Sequence, residues 1–469
     1  MSRAPDRVIA MGAGVDPDPT LLSRESGLGR LARGWLWLGL LALAGSGVFA
    51  VLLVLSRTPQ LNHWLPVADF FRVALIVHVD LSVLVWLVSL AGLLWSIGGS
   101  TLAPGLAWLA LGLCSAGTLL MAIAPFTGGG EPIMANYIPV VDGPMFIAGL
   151  AVFGMGGAAL VLRGLIATRP TGPVLSAEGA LRFGLNASVV AAAVAVLSFG
   201  ASLLLVPRSL DVQTYYEIVY WGGGHALQFV WTLLMLVGWL WLASASGARL
   251  PLSPRLAVLM FALALVSVFA TPLAYLATDV TSVEFRLINT WAMRVGGGLA
   301  ILPISLAVVI GLSRGRVTHD AAVPPLRAAL VASIVLFGAG GLIGALINGS
   351  NVRIPAHYHG CIVGVTLALM GLVDLLLPRL GYQAPVGRLA LWQPVLYGAG
   401  QLLHVVGLVW SGGYGVQRKV AGAEQVLRST PEVVGMGLMG LGGLIAIIGG
   451  LLFVIVVGRS IRGRTALRE

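Results

Sequence analysis

Charge is scarce in this chain: Asp, Glu, Lys and Arg together make up 10% of its 469 residues. That is far below what keeps a soluble domain of this size hydrated, so a water-soluble enzyme is excluded at the outset. Cysteine is scarcer still. Cys114 and Cys361 are the only two, and both fall within apolar runs, which leaves no disulfide framework and no zinc pattern. A C-x-x-C-H run is missing, so any heme is held without the covalent attachment of c-type cytochromes. The first thirty residues are polar and lack a signal-peptide pattern, which reads as a tail. Internal repeats and low-complexity stretches are absent, and the glycine-rich GGGEP at Gly128 to Pro132 follows no strand, which makes it a turn and not a phosphate cradle.

What fills the chain is apolar: 58% hydrophobic residues and a mean hydropathy of +0.95. Runs of about twenty apolar residues are the length a helix needs to cross a bilayer. About twelve occur between Trp35 and Val457, beginning near residues 33, 69, 102, 143, 180, 216, 255, 283, 324, 354, 390 and 433. The fold expected is all-α, a polytopic membrane protein of about twelve transmembrane helices, with a tail at 1–32, a membrane domain at 33–458 and a tail at 459–469. Numbering the spans 1 to 12, arginines gather at Arg24, Arg30, Arg33, Arg163, Arg169, Arg249, Arg255, Arg314, Arg316, Arg379, Arg388 and Arg459 to Arg468, all on one side. The opposite connections carry Glu131, Asp142, Asp211, Glu217, Asp279 and Glu284. The positive-inside rule then puts both termini in the cytoplasm. The net charge of +10 becomes a feature of the inner lipid surface and requires no nucleic acid. Arg418 and Lys419 break the pattern by sitting on the outer side.

Histidine carries the chemistry. His357 and His359 stand one residue apart in RIPAHYHGCIVGVTLALMGLVDLLL, a segment long enough to span a bilayer. An imidazole in hydrocarbon is costly, so it is packed against a polar partner or bound to a metal. In the alternating topology, His78 on span 2, His225 on span 6 and the span 10 pair all lie in the first turns of outside-to-inside helices, so four of seven histidines share one layer. A metal or heme cluster accounts for that coincidence better than four separate proton relays or packing histidines. Residues 357 and 359 are about 200° apart around a helix, so their side chains face opposite sides and one helix can serve two cofactors.

These motifs resemble subunit I of the heme-copper oxidase and nitric oxide reductase superfamily, over the whole membrane region. The resemblance implies that His78 and His359 are the axial pair of a low-spin heme and that His357 is the axial ligand of a high-spin heme. GLVWSGGYGVQRKVAG after span 11 is similar to the family loop whose basic pair binds heme propionates, which assigns that role to Arg418 and Lys419; lipid-headgroup anchoring is the other reading. WGGGHALQFVW on span 6 is similar to the segment bearing the first ligand of the second metal, copper or non-heme iron, and His225 takes that position and with it the catalytic role. The family's adjacent histidines at the outer end of span 7 are missing from ATPLAYLATD, and the proton donors expected four residues after His225 are replaced by Phe229. One imidazole does not hold a copper or iron ion, unless oxygen groups from Tyr275, Asp279, Glu284 or Glu217 rebuild the site.

Other buried polar residues stay open. Arg294 on span 8 faces an acid such as Asp80, a propionate or a water cavity; Arg72 snorkels to the headgroups; His404 packs by a hydrogen bond. The glycines of VVGMGLMGLGGLIAIIGG on span 12 serve internal packing or a partner subunit. The leading function is a heme-containing redox subunit with two non-covalent, b-type hemes, passing electrons through a bis-His low-spin heme to a second heme beside an incomplete second-metal site. Electrons would come from a periplasmic cytochrome c or another redox subunit, with quinone as a further partner, in the bacterial cytoplasmic membrane. The alternatives are the catalytic subunit of a divergent O2 or NO reductase, and a heme-free transporter with histidine proton relays. Inner halves rich in Leu, Val, Ala and Gly imply weak or absent proton pumping from the inside.

Overall fold

The structure, a computed structural model, describes residues 27–56, 70–172, 176–315, 320–347, 351–416, 427 and 429–463. Twelve helices among them are long and apolar enough to cross a membrane: spans 1 (Gly27–Leu53), 2 (Phe70–Gly98), 3 (Pro104–Phe126), 4 (Pro144–Ala167), 5 (Ala177–Leu205), 6 (Trp221–Ala245), 7 (Pro254–Ala277), 8 (Val283–Ser313), 9 (Val323–Ala345), 10 (Arg353–Leu376), 11 (Arg388–Gly413) and 12 (Thr430–Arg462). Their starts follow local rules. Ser176 and Ser282 cap spans 5 and 8 by accepting hydrogen bonds from the backbone N–H groups of Gly179 (2.9 Å) and Phe285 (3.0 Å). Pro104, Pro144 and Pro254 open spans 3, 4 and 7, where a missing N–H costs nothing.

Three spans form the interior. In the most apolar stretch of each, 83% of residues are buried in span 6, 78% in span 10 and 61% in span 2, against 28% to 44% in the other nine. The three innermost helices are therefore the three that carry the clustered histidines. They are tied to their neighbours by hydrogen bonds in the core. Trp95 of span 2 donates its indole N–H to Ser188 of span 5 (2.9 Å), and Trp239 of span 6 donates to Ser333 of span 9 (2.7 Å), whose hydroxyl passes on to the Gly364 carbonyl of span 10 (2.6 Å). In lipid, such bonds and close packing replace the hydrophobic drive between helices.

Three of the span 12 glycines serve internal packing: Gly435, Gly442 and Gly449 lie directly on Ser411, His404 and Tyr397 of span 11, with no room for a Cβ, while Gly437 and Gly440 face open space. Spans 2 and 8 contain π-helical turns at Asp80–Val85 and Met293–Gly297, insertions that often mark functional stretches. A small hairpin adds to the helices. Strands β1 (Glu131–Ile133) and β2 (Val140–Asp142) pair antiparallel between spans 3 and 4. A short helix, Val212–Val219, capped by Asp211, precedes span 6. Tyr216 from that helix donates to Asp142 (3.1 Å) and Gln213 donates to the Met134 carbonyl (3.3 Å), so hairpin and helix form one cover over the histidine end of the bundle. Burial, with Asp142 beside it, pushes the Tyr216 phenol up to about 12.

Candidate heme-binding layer

His78 sits in the last turn before the π-helical segment of span 2. Its Nδ1 lies 2.8 Å from the Ser46 carbonyl of span 1 and 3.0 Å from the Ser46 hydroxyl. A carbonyl only accepts, so Nδ1 carries the ring proton and Nε2 keeps its lone pair. Ser46 and Ser82 also donate to the His78 carbonyl, at 3.1 and 2.7 Å. These bonds fix the ring in the tautomer a metal requires.

The span 10 histidines follow the same pattern from opposite sides. His357 Nδ1 bonds the Gly340 carbonyl of span 9 at 2.7 Å, while His359 Nδ1 bonds the Pro355 carbonyl of its own helix at 2.9 Å. The rotation expected for adjacent-but-one residues is what separates them: His357 is turned to span 9, and the His359 ring packs on His404 of span 11 at 4.6 Å between centroids. His78 and His359 are within electrostatic range of one another, as are His359 and His404. His404, for which sequence offered only a packing bond, makes it, to the Met439 carbonyl of span 12 at 2.9 Å; its place against His359 is new. All four of these rings are partly open inside the bundle. Nε2 of each has no hydrogen-bond partner among the described residues.

His225 is different. Its Nδ1 bonds the Trp221 carbonyl at 2.8 Å, but the ring is only 4% exposed and the Tyr137 hydroxyl lies 3.0 Å from both of its nitrogens. Tyr137 comes from the connection between β1 and β2. Three of the four residues offered as replacement ligands bond other groups. Tyr275 bonds Ser202 (2.6 Å) and the Ser198 carbonyl (3.0 Å), Asp279 caps its own turn through Thr281, and Glu217 accepts from Gln213 (2.9 Å). The glycines before His225 explain the crowding: a Cβ at Gly222, Gly223 or Gly224 would strike the rings of Tyr275, Phe199 or Tyr137.

Asp80 and Arg294 do not pair. Asp80 is 1% exposed and neither carboxylate oxygen has a partner among the described residues. Arg294, in the π-helical segment of span 8, lies over the Trp291 ring at 5.2 Å and within electrostatic range of His357. Arg418 and Lys419 lie outside the described residues. A basic residue that sequence reasoning passed over, Arg353, packs on Gly412 and Gly413 at the root of their loop, its Nε unpartnered. The signal for it was position alone, the first residue of the histidine-bearing span.

Fixed imidazoles with an accessible Nε2 are the donor set of heme iron, so His78, His359 and His357 fit heme ligation. The comparisons with known proteins agree at family level. Residues 30–452 match the family described as Cytochrome C and Quinol oxidase polypeptide I. The chain is 28% identical to an uncharacterized protein of Rickettsia prowazekii (strain Madrid E), over 92% of this chain and 96% of that one. It is 27% identical to an uncharacterized protein of Aquifex aeolicus (strain VF5), over 76% of this chain and 86% of that one. The chain belongs to the cytochrome c and quinol oxidase subunit I family and is a multi-pass membrane protein of the heme-copper oxidase type.

Proposed function

With that membership as premise, we propose that the chain is a redox subunit that passes electrons through a low-spin heme held by His78 and His359 to a second heme held by His357. The observation that supports this reading is the shared posture of the three rings, each with Nδ1 on a backbone carbonyl and Nε2 without a partner among the described residues. When bound, a six-coordinate heme supplies outer electron transfer and a five-coordinate heme a face for a small ligand. The chain's own part is to fix each ring, exclude water with spans 2, 6 and 10, and place both groups at one membrane depth. Ser46 and Gly340 do the positioning for His78 and His357.

Arg418 and Lys419 take the propionates in this reading, with Arg353 at the root of their loop as a further cation. Charge-assisted bonds suit two carboxylates near the headgroups. Both hemes are non-covalent and b-type. The histidine end faces the periplasm, both termini are cytoplasmic, and the membrane is the bacterial inner membrane. A partner bearing a c-type heme, or another redox subunit, delivers electrons from outside, and a quinone is the candidate carrier within the lipid.

A second reading, a divergent O2 or NO reductase, draws on the partly open His357 ring and the Arg294 cation near it. One preparation separates the two. Pyridine hemochrome on the purified protein should give two hemes per chain, and none would end both readings. A CO-shifted reduced spectrum with turnover of O2 or NO supports the reductase; two hemes without turnover support the electron relay.

A further inference from the structure

The family expectation for His225 is a second metal, and the donor set here does not fit one. A copper, iron or zinc ion sits about 2.0–2.1 Å from an imidazole nitrogen and needs three or four good donors. Among the described residues no three His, Cys, Asp or Glu side chains come together. Both nitrogens of His225 are also engaged. Nδ1–H points to the Trp221 carbonyl (2.8 Å), and the Tyr137 hydroxyl lies against the ring, 3.0 Å from both of its nitrogens.

The enclosure is built, not incidental. Tyr137 has φ +69°, the left-handed region. For a side chain of this size that costs about 1–2 kcal/mol and persists only where the surroundings over-determine it. Gly224 offers a surface without a Cβ on which the Tyr137 ring lies, Trp221 packs edge-on against it at 5.9 Å, and the His225 ring is 5.0 Å away. β1 and β2 anchor the connection at both ends. Tyr137 also lies within electrostatic range of Tyr358, the residue between the two span 10 histidines, so the pair borders the layer of His357 and His359.

We infer that a phenol–imidazole pair, Tyr137 on His225, stands in the place of the family's second metal, and that this chain holds no metal there. The outer connection, and not span 7, completes the site. The pair fixes the His225 ring and closes the span 6 side of the histidine layer. The inference rests on the family reading for the expectation of a metal, but not on the heme assignment.

The test uses the purified full-length protein with its hemes, as wild type, Tyr137→Phe, Tyr137→Ala and His225→Ala. Each is incubated with copper(II) and with iron(II), desalted and analysed for metal. Metal equal to heme iron in every variant is the expected result; an additional equivalent in wild type that His225→Ala loses would overturn the inference. Acylation of His225 by diethyl pyrocarbonate, read peptide by peptide in a mass spectrometer, tests the pair directly. His225 should be protected in wild type, several-fold more reactive in Tyr137→Phe, which keeps the aromatic ring but removes the hydroxyl against the imidazole, and more reactive again in Tyr137→Ala. Equal labelling in wild type and Tyr137→Phe would show that the phenol does not hold the nitrogen. Unchanged low-spin bands in Tyr137→Phe certify the fold should Tyr137→Ala not assemble. A preparation without heme would remove the proposed function and leave the labelling result standing.

Discussion

His357 and His359 on span 10 and His225 on span 6 enter the bundle at the same level, and all three rings anchor Nδ1 on a backbone carbonyl. They part at the second nitrogen. On span 10 it is open within the bundle; on span 6 a tyrosine from an outer connection covers it and the ring is 4% exposed. A polar ring in a membrane interior needs both nitrogens satisfied, and the two regions meet that need differently. The span 10 rings and His78 leave that nitrogen without a hydrogen-bond partner among the described residues, whereas the span 6 ring has the Tyr137 hydroxyl against it.

The contrast breaks most sharply in heme content. His78→Ala or His359→Ala should remove the low-spin heme and its bands, while His225→Ala retains both hemes; low-spin bands surviving in His359→Ala would erase the distinction between the two spans. His357→Ala should come next. It loses the high-spin heme and any CO shift while sparing the low-spin spectrum, and loss of both hemes would mean that the two faces of span 10 do not act separately.

Gly224→Ala sharpens the comparison from the span 6 side. The new Cβ meets the Tyr137 ring, and overpacking of this kind costs about 1–3 kcal/mol, so thermal unfolding should begin earlier while heme content stays at wild type. An unchanged melting profile would mean that the ring has another seat.

The cover itself should respond to alkali. Burial, then Tyr358, holds the Tyr137 phenol well above its ordinary value, and Tyr216 is pushed up to about 12. The folded state therefore keeps protons that the unfolded state releases. Stability is full below about pH 10 and falls as pH rises past it. Tyr137→Phe should flatten part of that alkaline loss, and identical profiles would take Tyr137 out of it. The smallest effect is expected at Ser46→Ala. It removes the hydroxyl contact to His78 Nδ1 but leaves the Ser46 carbonyl at 2.8 Å. About 1 kcal/mol is at stake, visible as a modest shift in the low-spin heme potential with full occupancy; loss of the heme would show the hydroxyl to be the main support.

Much of the bundle was legible from the chain. Spans expected near 69, 283 and 354 begin at Phe70, Val283 and Arg353, because a run of apolar residues at helical rise has only one stable use in a bilayer. The starts furthest off were those near 33, where the helix already begins at Gly27, and near 216, which fell on the separate helix Val212–Val219 just before span 6. The approach of His78 to His359 was legible too, since both were expected in the first turns of spans that run the same way. Asp80 and Arg294 do not pair among the described residues, and Tyr275, Asp279 and Glu217 are hydrogen-bonded to other groups. Tyr137 gave no signal beyond an aromatic residue in a short connection.

Sequence by itself thus determined the number of spans, the depth of the histidines and the opposed faces of His357 and His359, all of which follow from local periodicity and length. Only the tertiary structure decided which imidazole nitrogens stay open. The groups that answer the question lie 32 residues from His78, 17 from His357, 35 from His404 and 88 from His225. No pattern along the chain relates such positions; helix packing brings them together, and a hydrogen bond forms or fails on distances of a few tenths of an ångström.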